Sequence, residues 1–499
     1  MTRNTRPWRL TAIAVVVPAL PALAAGIAAC RPPLSVTTEE APQEAPQEAG
    51  AAEEAAPGGS DEGPASDSAE EERPDSARDQ QPDGADQSAS DGTSEEAQED
   101  PAEEPAEWAI AVYMSADNEL EPQALEDLNE MEAAALGGTA VSVVVLLDRA
   151  NGHTTADGDW TGTRLYEVTP DPMGMSATVV SKRLASPRLG ITAAGTEERN
   201  TGAAETLSAF LDYVREAYPA RRTALVLWGL GSGYEAVSVD DGNGSDLLLT
   251  GEVSDALEAH DLDVIGLDLA FGAQLEIAYE FRSHAATLVA SQQAVSADGW
   301  EYGRLLSSLA TNPESESAFE TAALTTFRSA RADTPGATIS VVDLTGADAV
   351  FAALDELSTA LIEQAATASA RNELRRFLFE EVEDFYRTPG DLSLDLGDLA
   401  TRVGAAYPAV SEEAATLEAA VDEAVQNNWA AEGANEAASG LSVHYVPVDG
   451  AGYAYPPHDS AYFAGRIGEH RLSFVTNSVW VPNDSAETGL LYRLWYESM

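Results

Sequence analysis

The sequence predicts an α/β protein in which a mostly parallel sheet is flanked by helices, with a C-terminal α+β extension and a disordered acidic linker before the sheet. Continuous apolar runs such as 109–114 and 141–147 have the length and composition of strands buried on both faces. Segments with apolar residues at helical spacing separate these runs. Such alternation is typical of a parallel sheet covered by helices, whose ligand sites lie at the carboxyl ends of the strands.

The first thirty residues have the three zones of a secretory signal. Arg3, Arg6 and Arg9 form a positive start, the apolar stretch 10–29 follows, and Cys30 closes the segment. A retained membrane-spanning helix is the alternative. Two prolines interrupt the apolar stretch and no basic cluster follows it, so we expect residues 1–30 to be a signal peptide that is removed.

Residues 27–30, with the sequence Ile-Ala-Ala-Cys, resemble the lipobox of bacterial lipoproteins. The resemblance implies cleavage before Cys30, diacylation of its thiol and attachment to a membrane, at about 0.8 kcal/mol per buried methylene. Cys30 is the only cysteine in the chain. A soluble secreted protein is the alternative. Arg31 stands where an aspartate commonly retains lipoproteins in the inner membrane, so we expect the outer membrane or the cell surface.

Residues 31–106 form the linker. They are mostly Glu, Asp, Ala, Pro, Ser, Gly and Gln, and they contain too few large apolar side chains to offset the entropy of folding. The formal net charge of the whole chain is -58, which repels phosphates and excludes nucleic acid as a partner. An acidic surface suits a saline habitat, and a codon bias that favours Arg over Lys is the alternative.

The folded part begins at Trp108. Apolar runs predict strands over 109–114, 141–147, 224–228, 264–269, 287–291, 338–342 and 440–446. Helical spacing predicts helices around 125–135, 206–217, 253–259 and 276–279, followed by long Ala- and Glu-rich helices that reach about Asn428. We divide this part into a domain over 107–330 and a C-terminal subdomain over 331–499.

Several blocks of sequence, in a fixed order, resemble the clostripain-type cysteine peptidases. The first are 112–118 and 127–131, and the others are 146–149, 200–207, 218–228, 290–292 with 299–300, and 440–442. The resemblance covers about 107 to 330 and is fainter towards the C-terminus. It implies a caspase-like fold with endopeptidase activity, in which a histidine after one strand meets a cysteine after the next at the carboxyl edge of the sheet.

The chain departs from that family at both catalytic positions. The family's Trp-x-His-Gly-x-Gly segment corresponds to 228–233, where Leu230 stands at the histidine position. The family's Asp-x-Cys segment corresponds to 268–270, where Ala270 stands at the cysteine position. Leucine cannot accept a proton and alanine cannot attack a carbonyl carbon. The expectation is a non-catalytic pseudoprotease.

Three functions remain open from the sequence. The first is a binding protein for a peptide, a protein or a cation, in which Ser232, Asp268 and Gln292 line a vestigial cleft suited to a basic ligand. The second is a clostripain-related hydrolase with a nucleophile other than cysteine, for which the sequence offers carboxylates and Ser232. The third is an envelope scaffold. Ser232 lies in no Gly-x-Ser-x-Gly frame, so the glycines around it indicate a tight turn.

An acidic turn lies between two of the predicted elements. Asp241 to Asp246, with Glu252 at the twelfth place, match a calcium loop only in part, because Asp246 replaces the usual glycine. The clostripain resemblance implies an association with calcium. We expect no cofactor and an acidic turn without an ion, and calcium at Asp240, Asp241 and Asn243 is the alternative.

Overall fold

The computed structural model describes residues 105–445 except 137, 139, 176–177, 196, 389–390, 434 and 436, together with 472–480, 489–491 and 494. The predicted signal peptide, Cys30 and nearly all of the linker lie outside the described residues. Within the described part, no helix combines the length and the apolar character needed to cross a bilayer.

The strands fall into one large sheet, one small sheet and one hairpin. In chain order they are β1 (Ala106–Ala116), β2 (Val141–Arg149), β3 (Gly162–Glu167), β4 (Lys182–Leu184), β5 (Ala220–Trp228), β6 (Ala236–Asp240), β7 (Asp246–Leu249), β8 (Leu262–Asp268), β9 (Ala285–Ala290), β10 (Thr338–Asp343), β11 (Asp384–Thr388), β12 (Asp391–Asp395), β13 (Val425–Ala430) and β14 (Ser442–Tyr445).

The large sheet has nine strands in the order β13-β10-β9-β8-β5-β1-β2-β3-β4. Its five central strands, β9, β8, β5, β1 and β2, run parallel. Antiparallel pairs extend it on both sides. Strands β11, β12 and β14 form the small sheet, and β6 and β7 form the hairpin.

The helices connect and cover these strands. They are α1 (Glu121–Glu132), α2 (Ala204–Ala217), α3 (Thr250–Leu257), α4 (Leu275–Phe281), α5 (Tyr302–Thr311), α6 (Ala318–Arg331), α7 (Ala347–Gln364), α8 (Ala368–Glu381), α9 (Leu396–Ala406), α10 (Ser411–Ala424) and α11 (Ser473–Asn477). Three single-turn 3-10 helices lie at Ala156–Gly158, Leu344–Gly346 and Pro408–Val410.

Two separate apolar cores cover the two faces of the large sheet, because successive residues of a strand point to opposite faces. Along β1, Ala109, Ala111 and Tyr113 belong to the core that also contains residues of α2, α3, α4 and α7 to α10. The alternate residues of β1 pack against α1, α5 and α6; they are Trp108, Ile110, Val112 and Met114. The predicted α/β class, with a parallel centre flanked by helices, is confirmed.

One predicted helix is wrong at its end. Helix α10 stops at Ala424, and β13 follows from Val425 to Ala430 and pairs antiparallel with β10. The segment that we assigned to a helix as far as Asn428 is therefore partly a strand. The sequence 425–429 contains one β-branched residue, two asparagines and a tryptophan, all of them weak helix formers, and the free edge of β10 supplies a hydrogen-bonding partner.

Strands β10 and β13 both come from the predicted C-terminal subdomain. They lie side by side in the large sheet, next to β9 of the predicted first domain. The backbone hydrogen bonds of one sheet thus cross the predicted boundary at residue 330. The small sheet formed by β11, β12 and β14 is made only of later residues.

Candidate functional site

The two positions that the family resemblance singled out lie at the carboxyl ends of neighbouring parallel strands. Trp228, the last residue of β5, is the register partner of Asp268, the last residue of β8. Leu230 and Ala270 each follow their strand by two residues, and both are half-buried. Strand ends at this edge are where α/β proteins place their reactive groups. The side chains at these two positions are an isobutyl group and a methyl group.

The loops that carry Leu230 and Ala270 pack against each other. A Cβ atom at Gly231 would lie 2.5 Å from the Leu269 side chain, so only glycine fits there. Gly233 has φ +68, and the next backbone N–H, of Tyr234, donates to Oε1 of Gln274 at 2.7 Å. The loop after β5 therefore packs against the loop after β8.

Asp268 lies buried beneath this edge. Its Oδ2 accepts the Trp300 N–H at 3.0 Å and the Tyr302 hydroxyl at 3.0 Å, whereas its Oδ1 has no hydrogen-bond partner among the described residues. Burial raises the pKa of Asp268 to about 6. A Cβ atom at Gly299 would come within 2.6 Å of Asp268 Oδ2, so the carboxylate packs closely against this glycine.

A second buried carboxyl group lies near Asp268. Asp127, on α1, accepts the indole N–H of Trp228 at 2.7 Å. Burial raises the pKa of Asp127 well above its ordinary value, and the negative charge of Asp268 raises it further. Two acids thus lie on this face of the sheet. Among the described residues neither accepts a hydrogen bond from a basic side chain, although the charge of Arg331 lowers the pKa of Asp268 and partly offsets its burial.

Gln292 and Ser232 are both buried, with exposed fractions of 1% and 4%. Gln292 is bound to the C-terminal part of the chain, since its Nε2 donates to Asp395 at 3.0 Å and its Oε1 accepts the Gly440 N–H at 2.9 Å. The Ser232 N–H donates to the Ala236 carbonyl at 2.9 Å. The exposed part of this edge is therefore formed by Leu230 and Ala270 and not by the three polar side chains.

Four histidines fall among the described residues. His153 is exposed, His260 lies beside Asp212, and His284 contacts the Ser254 hydroxyl at 3.0 Å through Nε2. His444 packs against the ring of Tyr234 with centroids 4.7 Å apart. Its strand, β14, thus approaches the loop that carries Leu230, a contact that the sequence spacing did not suggest. The remaining two, His458 and His470, lie outside the described residues.

A separate group of four carboxylates lies at the same edge of the sheet, beyond β1 and β2. Asp117, Asp148, Glu198 and Asp240 each offer one oxygen, and these oxygens all lie within 4.8 Å of one another. Asp117 follows β1, Asp148 is in β2, Glu198 precedes α2 and Asp240 ends β6. We call this group the carboxylate cluster. Three of its members are buried and Glu198 is exposed.

Hydroxyl and backbone donors hold the carboxylate cluster. Thr163 Oγ1 donates to Asp148 Oδ1 at 2.8 Å, and the Thr201 N–H donates to Asp240 Oδ2 at 2.7 Å. Burial raises the pKa of Glu198 to about 7, and Asp117 and Asp240 raise it further. Burial, followed by Glu198 and Asp240, raises the pKa of Asp148 well above its ordinary value.

The cluster includes Asp240, one of the three residues predicted to bind calcium, but not the other two. Asp241 donates its backbone N–H to the Asp117 carbonyl, and its side chain accepts from Ser245. Asn243 donates its amide to Asp240 and Glu198, so its N–H group faces the cluster. The sequence signal for Asp117 and Asp148 was an aspartate just after each of two predicted strands, and no such signal marks Glu198.

Comparisons with known proteins agree with this geometry. Residues 112–441 match a family model described as the clostripain family. Clostripain of Hathewaya histolytica is 28% identical to this chain over 220 residues, which is 39% of this chain and 41% of that protein. The match thus spans about two fifths of the length of that relative.

Two solved structures share the fold. An inactive zymogen C11 protease from Parabacteroides distasonis superposes with a TM-score of 0.53 at 20% identity, over 69% of this chain and 93% of that one. A secreted C11 cysteine protease from Bacteroides thetaiotaomicron, in complex with an irreversible peptide inhibitor, gives a TM-score of 0.52 at 16% identity, over 70% and 94%. The expected caspase-like architecture is thereby confirmed.

Proposed function

The chain belongs to the clostripain family of peptidases, and from this premise we propose that it is a non-catalytic member, lipid-anchored outside the cytoplasm, that binds a basic segment of a peptide or protein. The observation that carries the proposal is the placement of Leu230 and Ala270. Each follows by two residues the paired ends of β5 and β8, where the family resemblance implies a base and a nucleophile.

Cysteine peptidase chemistry needs a thiolate and a group that accepts its proton. The only cysteine of the chain is Cys30, 76 residue positions before the first residue of β1. Leu230 has no titratable group and Ala270 no nucleophile. Loss of a single catalytic group in a protease commonly lowers kcat by orders of magnitude. The loss of both supports binding without cleavage.

The proposed ligand class follows from Asp268. Its Oδ1 is buried and has no hydrogen-bond partner within the described part of the chain, and such an atom costs about 1 to 3 kcal/mol. A guanidinium or ammonium group entering beside the half-buried Leu230 and Ala270 would satisfy this oxygen. A basic side chain is therefore the ligand that best complements the site.

Cys30 and residues 31–106 supply the attachment in this proposal. The lipobox-like segment 27–30 places a thiol at the start of the mature chain, and the acidic linker is long and self-repelling. Together they would hold the folded part away from an anionic membrane. Metabolic labelling with palmitate, compared between the natural chain and Cys30→Ser, tests the anchor directly.

The first experiment measures cleavage of arginyl and lysyl fluorogenic peptides by the purified chain, with and without calcium. We expect no turnover above that of a heat-denatured sample. The double variant Leu230→His with Ala270→Cys restores both groups at the two positions that follow the paired ends of β5 and β8. We expect measurable turnover from the double variant and none from either single variant, since each group needs the other.

Turnover by the natural chain would overturn the proposal. It would favour a hydrolase with another nucleophile, for which the packing of His444 against Tyr234, two residues beyond Ser232, is the supporting observation. A silent double variant together with no binding of basic peptides would favour an envelope scaffold. The observation that supports a scaffold is the link from Gln292 to Asp395 and Gly440, which fills part of the edge.

A further inference from the structure

We propose that two copies of the chain pair through the free edge of β13, so that their large sheets join edge to edge about a two-fold axis. Strand β13 ends the nine-stranded order and pairs with β10 on its inner side. This surface is separate from the edge formed by Leu230 and Ala270. The pairing therefore does not depend on whether the chain binds or cleaves peptides.

The backbone of β13 presents hydrogen-bonding groups to solvent. Its register with β10 continues past the strand, where the Ala431 N–H donates to the Ala337 carbonyl at 2.9 Å. Residues of an antiparallel strand face their partner alternately, so Trp429 faces β10 with its backbone groups, whereas Asn428 and Ala430 face away. Within the described part of the chain, no backbone group accepts from or donates to these outward groups. Such a row is a template for another strand.

The two edges of the large sheet differ in charge and length. At the opposite edge, β4 has only three residues, Lys-Arg-Leu, and Lys182 is the single lysine of the chain. Exposed lysine on an edge strand is a device that prevents edge-to-edge pairing. Strand β13 has the sequence Val-Gln-Asn-Asn-Trp-Ala, without a charged residue, in a chain with 85 acidic residues. Its residues 426 to 428 are exposed. The β13 edge therefore lacks the protection that β4 has.

The outward groups of β13 fit a second copy of the same strand. When Asn428 lies opposite Ala430 of the second copy, the two residues exchange both of their N–H···O bonds. The two-fold axis creates the same pair again, so every outward group of both residues is satisfied in both copies. Strand β13 is also held extended by β10 before the copies meet. Pairing therefore orders little further backbone, whereas a free peptide would lose its conformational entropy.

Trp429 gives this interface an apolar centre. In the same register, each Trp429 lies directly opposite the Trp429 of the second copy, at a non-hydrogen-bonded pair, where side chains approach most closely. The indole is half-buried and packs edge-on against Phe327, with ring centroids 6.3 Å apart. This contact holds the ring on one face of the sheet. Cross-strand aromatic pairs stabilise antiparallel strands.

The dimer would present two ligand edges that face in opposite directions. Strand β13 runs parallel to β5 and β8, because two antiparallel steps separate it from β9. Antiparallel pairing of two copies therefore reverses the carboxyl ends of the central strands of one copy relative to the other. One dimer would then hold two separate ligands on opposite sides. This consequence rests on the proposed function, whereas the dimer itself does not.

The test measures the association of residues 31–499, which lack the predicted lipid anchor and include every described residue. Sedimentation velocity from nanomolar to high micromolar concentration should show an equilibrium of monomer and dimer. Because both copies are strongly acidic, the dissociation constant should fall as sodium chloride screens their repulsion. A monomer at every concentration and salt level would overturn the proposal.

The variant Asn428→Pro removes an outward N–H and keeps the bonds to β10, because the Asn428 backbone faces away from β10. We expect the dissociation constant to rise about tenfold or more, since the dimer loses one hydrogen bond from each copy. The matched control, Asn428→Ala, loses the same side-chain bond to the Ala438 carbonyl but keeps the N–H, and it should associate as the natural chain does. An equal loss in both variants would contradict strand pairing.

A second measurement keeps the test decisive if Asn428→Pro fails to fold. Residues 31–499 contain no cysteine, so Asn428→Cys and Ala430→Cys each introduce a single thiol. Directly opposite hydrogen-bonded positions have Cα atoms about 5.5 Å apart, within reach of a disulfide, whereas the two copies of residue 428 lie too far apart in this register. Oxidation of an equal mixture with diamide should favour the mixed disulfide over both symmetric ones. An excess of either symmetric disulfide, or none of any kind, would refute the pairing.

Discussion

Asp268 combines a stability penalty with the proposed binding role. The residue is 4% exposed. One oxygen of its carboxyl group accepts two hydrogen bonds, and the other has no hydrogen-bond partner among the described residues. Proteins commonly keep such a destabilising group where function needs it, so that replacement improves stability and impairs function. A purely structural aspartate would show no such opposition.

We predict that Asp268→Asn stabilises the chain at pH 8 and abolishes binding of basic peptides. The folded pKa is about 6, above the unfolded value of about 3.9. The protonated form is therefore favoured by folding, and stability is lost as pH rises from about 4 through 6. At pH 8 the penalty is on the order of 2 to 3 kcal/mol. Denaturant unfolding of both proteins at pH 4 and pH 8 measures it.

The matched control for this variant is Asp261→Asn, an exposed acid between α3 and β8, which should leave both the unfolding curve and its pH dependence unchanged. In Asp268→Asn, the side-chain amide oxygen can still accept from Trp300 and Tyr302, and the NH2 group takes the position of Oδ1. If Asp268→Asn were less stable than the natural chain at pH 8, the carboxylate would have a favourable partner that the described residues do not include.

At the same scale, the sequence predicted only part of the carboxylate cluster. Asp240 lay in a recognisable acidic turn, but Asp117, Asp148 and Glu198 are separated from one another by 31 and 50 positions. Their approach depends on the parallel register of β1 and β2 and on the hairpin that covers it. Spacing in the sequence carries no information about that register. The positions of Leu230 and Ala270 were accessible because a local motif marks each of them.

At the scale of elements, the two loops after β5 and β8 behave as a unit. Gly231 touches Leu269, and Gln274 holds the Tyr234 backbone. Between them, Phe271 adopts φ 60, a left-handed conformation that is rare for a bulky residue and costs of order 1 to 3 kcal/mol. Its backbone N–H donates to the Gln293 carbonyl. The surrounding contacts thus maintain a strained backbone next to Ala270.

We predict that Gly231→Ala destabilises the chain by about 1 to 3 kcal/mol and weakens peptide binding, because the new Cβ would lie 2.7 Å from the Leu269 Cβ and force the loops apart. Urea unfolding and fluorescence anisotropy with a labelled basic peptide measure the two effects. The double change Gly231→Ala with Leu269→Gly removes the side-chain atoms that clash and should regain binding. An additive loss in the double variant would show that the two loops do not act together.

The strands that the sequence predicted are those buried on both faces. Apolar runs marked β1, β2, β5, β8, β9, β10 and β14. The strands that it missed are short or partly exposed, as β4 with three residues and the hairpin β6–β7 are. Strand β13 was assigned to a helix, because its exposed positions carry no alternating pattern and its identity depends on the free edge of β10.

At the scale of the whole molecule, the large sheet requires residues from both ends of the folded part. Strands β10 and β13, together with helices α7 to α10, cover surface that the earlier strands would otherwise expose. Leu354, Leu357 and Leu361 of α7 are fully buried in the same core as Leu225 and Leu227 of β5. Neither part can form this core alone.

We predict that a chain ending at residue 330 does not fold. Removal of the later strands and helices exposes apolar surface on one whole face of the sheet. The free energy lost by exposing that surface exceeds the net free energy of unfolding of a typical domain, about 5 to 15 kcal/mol. Limited proteolysis and near-ultraviolet circular dichroism measure the loss. Deletion of 31–104, predicted to be disordered, is the control and should leave the melting temperature unchanged. A folded, protease-resistant fragment would establish the boundary at 330.

The position of β13 in the sheet also sets the order of events during synthesis. Strand β1 ends at Ala116, whereas β13 ends at Ala430. At about 5 to 20 residues per second, the ribosome adds the intervening residues in about 16 to 63 s. During that interval the apolar strand β1, with nine successive buried residues in the finished fold, has no complete sheet around it. The nascent chain therefore exposes this apolar strand, without its finished sheet, for most of the time that its synthesis takes.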